Sequence, residues 1–200
     1  MERRNFVRNI GAGALFLGMG GLSYAFDRDK HKDKIKKYKK HITILHTNDT
    51  HSHIDPMPSD DPHYPDKGGV ARRAVLIEQV RKENPNTLLF DAGDIFQGTP
   101  YFNYYGGELE FRLMSMLKYD AATFGNHDFD NGVEGLLFQL PHAKFDFISS
   151  NYDFTNTVLE GKTKPYKIFE VDEVRIGVYG LGVELKGLVT KELYKETQYL

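Results

Sequence analysis

The stretch Ile42-Thr43-Ile44-Leu45-His46-Thr47-Asn48-Asp49-Thr50-His51 passes directly from an apolar run into a polar cluster. Residues 42–46 are rich in β-branched and apolar side chains, which predicts a strand, and the polar residues follow where that strand ends. Two more junctions of this kind lie further along the chain. Predicted strands at 87–90 and 121–124 precede Asp91-Ala92-Gly93-Asp94 and Gly125-Asn126-His127-Asp128, respectively.

Helical stretches separate these strands. Apolar residues spaced along one face predict helices at 69–82, 108–117 and 133–140, with a further helix beginning near Thr190. A fourth strand is predicted at 145–149, followed by a hairpin of 166–171 and 175–179 that turns at Asp172-Glu173. This alternation of strands and helices, followed by a hairpin, predicts an α/β fold with a mixed sheet.

The three polar clusters occupy the same place relative to their strands. Ligands of parallel sheets bind beyond the carboxyl ends of the strands, so neighbouring strands would bring these clusters to one edge. Asp49 and His51 could bind one cation, Gly93 allows Asp94 to approach closely, and His127 could donate a proton. Each motif alone also occurs in surface turns or buried structural pairs. Their common position favours a metal centre over three unrelated turns.

The motifs at these junctions resemble those of the calcineurin-like metallophosphoesterases, in particular their 5'-nucleotidase branch. The resemblance runs from about Ile42 to the C-terminus, and its motifs are the Asp49-x-His51 pair within Thr47 to His53, Gly68 to Arg73, Gly93-Asp94 with Gln97 to Pro100, and Gly125 to Asp130. It implies a four-layer α/β/β/α metallophosphatase sandwich with mixed sheets. Residues 42–200 would be the N-terminal part of that domain, incomplete at the C-terminus.

The resemblance also implies a ligand set for two divalent metal ions, which could be Mn, Zn, Mg, Co or Fe. Asp49 and His51 would hold the first ion, Asp94 would bridge both, and Asn126 would hold the second. Two cations at this separation would activate a water for attack on phosphorus. His53 continues the Asp49-x-His51 alternation and could either support a ligand or lie at the surface.

Two further residues match the catalytic pair of the family. His127 matches the histidine that stabilises the transition state or assists the leaving oxygen, and Asp130 matches its orienting carboxylate. Gln97 is interpreted as loop structure. The family's two downstream histidines, one within a Gly-His-x-His motif, are not found in the sequence. Only His142 follows His127, and its place beside Pro141 predicts a solvent-facing role.

The resemblance therefore predicts the N-terminal portion of an exported phosphohydrolase of the 5'-nucleotidase type. Its partner would be a nucleotide or another small phosphate ester. The absent histidines, and the absence of the C-terminal substrate domain found in two-domain members, leave an alternative: a catalytically inactive, truncated fragment that binds metal or phosphate. A related hydrolase of cyclic nucleotides, nucleotide sugars or sulfur esters is a third interpretation, because these site residues do not discriminate among such substrates.

Composition restricts the remaining possibilities. The 200 residues include no cysteine, which excludes a disulfide, a thiolate zinc site and a cysteine nucleophile. The net charge of -2 combines a basic start, with 11 Lys/Arg and 4 Asp/Glu in residues 1–41, and an acidic body, with 15 and 24 in residues 42–200. An acidic body repels phosphate backbones, so we do not expect it to bind a nucleic-acid duplex.

The first 41 residues are predicted to lie outside the folded domain. Residues 1–26 begin with Arg3-Arg4 and then run uncharged from Asn9 to Phe26, which is typical of a signal peptide cleaved after Ala25. The paired arginines resemble a twin-arginine leader, with an ordinary secretory signal or a plain anchor as alternatives. Residues 27–41, with seven lysines, predict a solvated linker. The protein would thus be exported to the periplasm or cell envelope, with membrane contact only through its leader.

Overall fold

Four parallel strands form the sheet that carries the three polar clusters, in the order β1-β2-β3-β4. The structure is a computed structural model that describes residues 39–200. The predicted signal peptide and most of the predicted linker lie outside the described residues. The strands are Thr43–Thr47 (β1), Thr87–Asp91 (β2), Ala121–Ala122 (β3) and Asp146–Phe147 (β4). Each agrees with a predicted strand, although β3 and β4 are shorter.

Among the described residues, four helices connect the strands of this sheet and a fifth lies near residue 200. They are Val70–Glu83 (α1), Pro100–Tyr105 (α2), Glu108–Met116 (α3), Gly132–Gln139 (α4) and Lys191–Tyr194 (α5), with 3₁₀ turns at His127–Phe129 and Leu140–His142. The three long predicted helices are confirmed to within one residue at each end. Helix α2 was not predicted, because its six residues are mostly aromatic and too few to show a helical period. It begins at a proline and ends at Gly106, which adopts the left-handed conformation.

The remaining strands form two antiparallel pairs. Tyr166–Val171 (β6) and Val174–Tyr179 (β7) form the predicted hairpin, and the turn residues Asp172 and Glu173 both have positive φ, as a tight hairpin turn requires. Tyr152–Asp153 (β5) pairs with Gln198–Tyr199 (β8). The predicted α/β class is confirmed. The continuous helix expected from Thr190 was wrong, since α5 ends at Tyr194 and the chain then extends into β8.

Buried aromatic side chains lie directly beneath the polar clusters. Phe96, Phe124 and Phe129 are 1% exposed or less, and each is within five residues of a predicted site residue. Phe124 stacks on Phe147 of β4, with ring centroids 4.4 Å apart. Because such packing fixes the backbone on either side, the polar residues between these aromatics are held in defined positions.

The end of the predicted linker contacts the hairpin. The Lys40 ammonium donates to the Asp172 carbonyl at 2.5 Å and to the Glu173 carboxylate at 2.8 Å. These contacts raise the pKa of Lys40, chiefly through the hydrogen bond to Glu173. Lys40, within the predicted linker, therefore contacts the folded body through its side chain.

Candidate metal centre

The backbone beyond β1 and β2 stays paired after the strands end. We call residues 48–52 loop A and residues 92–98 loop B. The N–H of Asp49 donates to the Gly93 carbonyl at 2.9 Å, and the N–H of His51 donates to the Asp94 carbonyl at 3.1 Å. The N–H of Ser52 extends this series to Ile95 at 2.9 Å. The two loops are therefore joined along their length, which determines how the side chains of loop A face those of loop B.

Three of the predicted ligands meet at this junction. Asp49, His51 and Asp94 each offer one ligand atom, and these atoms all lie within 4.8 Å of one another. The Nε2 atom of His51 is 3.8 Å from an Asp49 carboxylate oxygen. Two carboxylates and an imidazole form a donor set that suits Zn²⁺, Mn²⁺ or Fe²⁺. The residues present therefore fit a divalent cation.

The imidazole of His51 is oriented by the backbone of loop B. Its Nδ1 atom lies 3.1 Å from the carbonyl oxygen of Phe96. Since a carbonyl only accepts, Nδ1 carries the proton and Nε2 keeps a free lone pair on the side of Asp49. Proteins usually orient a metal-binding histidine in this way, by a hydrogen bond from the ring nitrogen that does not bind the metal.

The backbone is strained at all three of these residues. Asp49, His51 and Asp94 have φ values of 50°, 45° and 54°, in the left-handed region that non-glycine residues rarely adopt. Each such residue costs of the order of 1–2 kcal/mol and persists only where the surroundings impose it. Strain that coincides with the candidate ligands is typical of a functional site.

Residues 123–130, which we call loop C, contain the other predicted site residues. The N–H of His127 donates to the Asp94 carboxylate at 2.8 Å, and the imidazole rings of His127 and His51 have centroids 5.2 Å apart. Asn126, which is half-buried, immediately precedes His127. Loops B and C are in close contact, because a Cβ on Gly93 would lie 2.3 Å from the Gly125 nitrogen. The structure thus brings all three clusters to one edge of the sheet.

His127 and Asp130 form a hydrogen-bonded pair on the 3₁₀ turn of loop C. The Nδ1 atom of His127 lies 2.9 Å from an Asp130 carboxylate oxygen. This hydrogen bond raises the pKa of His127 above its ordinary value of 6.5, and burial opposes the effect. Because the carboxylate accepts from Nδ1, the Nε2 atom remains available to a bound molecule.

The role of two buried aspartates was not predicted from the sequence. Asp128 is 1% exposed and accepts backbone hydrogen bonds from loops B and C. Asp91, at the end of β2, accepts from the Thr47 hydroxyl at 2.6 Å and from the Gly93 N–H at 2.9 Å. Burial raises the pKa of Asp91 to about 6 and that of Asp128 to about 7. Their burial could have been suspected from the sequence, because each is a charged residue at a strand end close to predicted buried aromatic or apolar residues.

His53, Gln97 and His142 lie outside the group of converging ligands. His53 is exposed and borders a cavity of about 400 Å³ next to Asp49. Gln97 lies in loop B with a φ of 69°, as expected of loop structure. His142, for which a solvent-facing role was expected, is partly exposed. Its side chain is 24% exposed, and its Nε2 atom lies 3.9 Å from a Glu108 carboxylate oxygen.

Comparisons with known proteins give the family of this chain. The chain belongs to the calcineurin-like phosphoesterase family, which it matches over residues 42–197. It is 42% identical over 146 residues to a snake venom 5'-nucleotidase from Naja atra, an alignment covering 70% of this chain and 28% of that protein. A 5'-nucleotidase from Homo sapiens is 41% identical over 147 residues, covering 70% of this chain and 26% of that protein.

Solved structures give the same result. A 5'-nucleotidase precursor from Thermus thermophilus superposes with a TM-score of 0.66 at 40% identity, covering 71% of this chain and 28% of that one. The NAD nucleotidase of Haemophilus influenzae has a TM-score of 0.72 at 33% identity, covering 80% and 29%. The chain therefore spans less than a third of the length of these relatives. Among the described residues, no helix is long and apolar enough to cross a membrane.

Proposed function

We propose that this protein is an exported, metal-dependent phosphohydrolase of the 5'-nucleotidase type, which cleaves phosphate monoesters of nucleotides. One observation carries the proposal: Asp49, His51 and Asp94 converge within 4.8 Å, next to a hydrogen-bonded histidine and carboxylate. Ligand atoms and a proton-handling pair are the two components that metal-assisted hydrolysis of a phosphate ester requires. The family of the chain and the names of its relatives support the same reaction.

The proposed ligands are divided between the three loops. Asp49 and His51 of loop A would hold one divalent cation, Asn126 of loop C would hold a second, and Asp94 of loop B would contact both. A carboxylate suits the shared position because its two oxygens can each bind one ion and its charge offsets their repulsion. When bound, such an ion pair supplies Lewis-acid activation of water and neutralises charge on the phosphate.

The remaining proposed roles belong to His127 and Asp130. Asp130 accepts from Nδ1 of His127, which directs Nε2 away from the pair and fixes the ring. His127 would then donate a hydrogen bond or proton from Nε2 to the phosphate or the departing nucleoside oxygen. Because the hydrogen bond to Asp130 raises the pKa of His127, the protonated ring persists closer to neutral pH.

The substrate class follows from the relatives. Several of them are 5'-nucleotidases, which favours nucleoside 5'-monophosphates as substrates here. The NAD nucleotidase supports a second candidate substrate, a dinucleotide whose pyrophosphate bond would be cleaved at the same centre. Comparing AMP with NAD as substrates distinguishes the two, because only the favoured class should give saturable phosphate or nucleotide release.

The proposal is tested by phosphate release from AMP in the presence of Mn²⁺ or Zn²⁺, using the full-length protein. We expect turnover by the unmodified protein and a loss of more than about 100-fold in Asp94→Ala, because removal of a shared ligand disrupts both ion positions and should cost more than removal of a group that only supports a ligand. Asp60→Ala, which removes an exposed carboxylate, is the matched control and should retain activity. Undiminished turnover in Asp94→Ala would refute the assignment. Tight metal binding without turnover would instead identify an inactive metal-binding protein.

A further inference from the structure

The carboxylate of Asp128 is enclosed by backbone N–H groups from two loops. It is 1% exposed, and four N–H groups donate to it. The donors are Asp94 at 3.0 Å, Ile95 at 2.9 Å, Phe96 at 3.2 Å and Gly125 at 2.8 Å. Three of these donors belong to loop B and one to loop C, so a single side chain connects the loops that carry Asp94 and Asn126.

The acceptor capacity of this carboxylate is fully used. Oδ1 accepts from Ile95 and Phe96, and Oδ2 accepts from Asp94 and Gly125. Four surrounding N–H donors favour the ionised form, which has about four acceptor positions and no donor of its own. An amide of the same shape has only one oxygen and would turn its NH₂ group towards two N–H donors. The site therefore selects a carboxylate over asparagine.

The contacts reach the strained part of loop B. Asp94 has a φ of 54° and Gly93 a φ of 98°, so this turn lies in the left-handed region. The Asp94 N–H is held by Asp128, while the Asp94 carboxylate accepts from the N–H of His127 at 2.8 Å. Both the backbone and the side chain of Asp94 are thus fixed by loop C. Strained conformations persist only when they are held from several directions in this way.

We propose that Asp128 is a positioning residue for the metal centre: it holds loop B on loop C so that Asp94 can contact a cation bound by Asn126 as well as one bound by Asp49 and His51. This inference rests on the proposed function. The Asp128 carboxylate, enclosed by these N–H groups, would not itself contact a cation. It acts through the backbone of Asp94, and its loss would separate the two halves of the ligand set.

The test compares three variants by Mn²⁺ calorimetry and by the electron paramagnetic resonance spectrum, using the full-length protein. Asp128→Asn leaves two N–H groups without an acceptor, and Asp128→Glu restores a carboxylate. Asp120→Asn is the matched control, since the Asp120 carboxylate also accepts a backbone N–H, that of Leu89 at 2.7 Å, but lies at the opposite end of β3 from loop C. Thermal unfolding of each variant identifies the temperature at which all are folded.

We expect the unmodified protein to bind two equivalents of Mn²⁺ and to show the signal of a spin-coupled pair. In Asp128→Asn the second equivalent should bind about 10- to 100-fold more weakly, the range found when groups supporting metal ligands are removed, and the coupled signal should be lost. Asp128→Glu should recover both properties, and Asp120→Asn should resemble the unmodified protein. If Asp128→Asn does not fold, Asp128→Ser replaces it, because it leaves room for water beside the N–H groups, and the same loss is expected.

Two results would overturn the inference. The first is wild-type affinity for both equivalents and a coupled signal in the folded Asp128 variants. The second is an equal loss in Asp120→Asn, which would show that any weakened backbone contact has this effect. Either result would leave the proposed function standing as long as the unmodified protein hydrolyses AMP and Asp94→Ala does not. Failure of the unmodified protein to release phosphate would refute the proposed function instead.

Discussion

His51, His127 and Asp94 are each oriented by a hydrogen-bonded partner. The partner of His127 is the Asp130 carboxylate, which lies within the same motif. The Phe96 carbonyl orients His51, and the His127 N–H and the Asp128 carboxylate hold Asp94. Sequence motifs identify side chains with suitable chemistry, but contacts of this second kind join groups that are far apart along the chain. For this reason Asp49, His51 and Asp94 could be predicted, whereas the contribution of Asp128 could not.

The His127–Asp130 pair gives the first prediction at this scale. Asp130→Asn should lower kcat by about 10- to 100-fold, part of what general acid–base groups contribute, because the ring loses its charged partner. Metal stoichiometry by calorimetry should stay unchanged, since neither residue is a proposed ligand. Asp153→Asn removes a carboxylate that accepts from Thr155 in a distant turn and is the control. A loss of bound metal in Asp130→Asn would show that the assigned roles are wrong.

The contact between Gly93 and Gly125 gives the second prediction. In Gly93→Ala the new Cβ would lie 2.3 Å from the Gly125 nitrogen, in addition to adopting a positive φ of 98°. Gly161→Ala is a matched control, because Gly161 has a φ of 69° and no neighbour within 4 Å of the added atom. We expect Gly161→Ala to reduce the free energy of unfolding by about 1–2 kcal/mol, the cost of the left-handed conformation, and Gly93→Ala to reduce it by more. Equal losses in urea unfolding would contradict the close approach of loops B and C.

Among the secondary-structure elements, periodicity predicted the long ones and failed for the short ones. Helices α1, α3 and α4 and the β6–β7 hairpin have enough residues for a repeating pattern of apolar side chains. Helix α2 has six residues, and strands β5 and β8 have two each, so none of them is long enough to show a repeating pattern. Strands β5 and β8 form only because residues far apart along the chain pair with each other. The meeting of the polar clusters at one edge of the sheet was predictable, because the carboxyl ends of neighbouring parallel strands always lie at the same edge.

The attachment of the hairpin to the sheet gives a prediction at this scale. Asp146 of β4 forms ion pairs with Lys164 at 2.8 Å and with Lys167 of β6 at 2.7 Å. The hydrogen bond from Lys164, and then that from Lys167, hold the pKa of Asp146 below its ordinary value of 3.8. A carboxyl group with a lowered pKa stabilises the fold fully above its ordinary pKa of 3.8, and this contribution is lost as the pH falls through the folded-state pKa.

Asp146→Asn should therefore lower the free energy of unfolding at pH 7 by about 1 kcal/mol or less, because these groups are partly exposed and screened by solvent. The difference from the unmodified protein should shrink as the pH falls below 3.8, where the unmodified carboxyl group is protonated. Urea unfolding over a series of pH values measures this. Asp60→Asn, at an exposed position, is the control. A difference that does not depend on pH would exclude the ion pairs as its cause.

For the whole molecule, the charge distribution and the N-terminal segment bear on where the protein acts. Residues 42–200 are acidic, whereas residues 1–41 are basic and include the Arg3-Arg4 pair, which lies outside the described residues. The twin-arginine route exports folded proteins, so we propose that the metal centre is assembled before export. Replacing both arginines by lysine should leave the protein inside the cell, as cell fractionation with an antibody would show. Replacement of Lys36 and Lys37 by arginine is the control, and normal export of the Arg3-Arg4 variant would remove the basis for this route.

The proposed function depends on two cations binding at the edge of the parallel sheet. Anomalous diffraction from crystals of the full-length protein grown with Mn²⁺ would locate the ions directly. We expect two peaks about 3.5–4 Å apart, one beside Asp49 and His51 and the other beside Asn126, with the Asp94 carboxylate between them. Ions bound elsewhere, or a single ion that Asp94 does not contact, would contradict the proposed function.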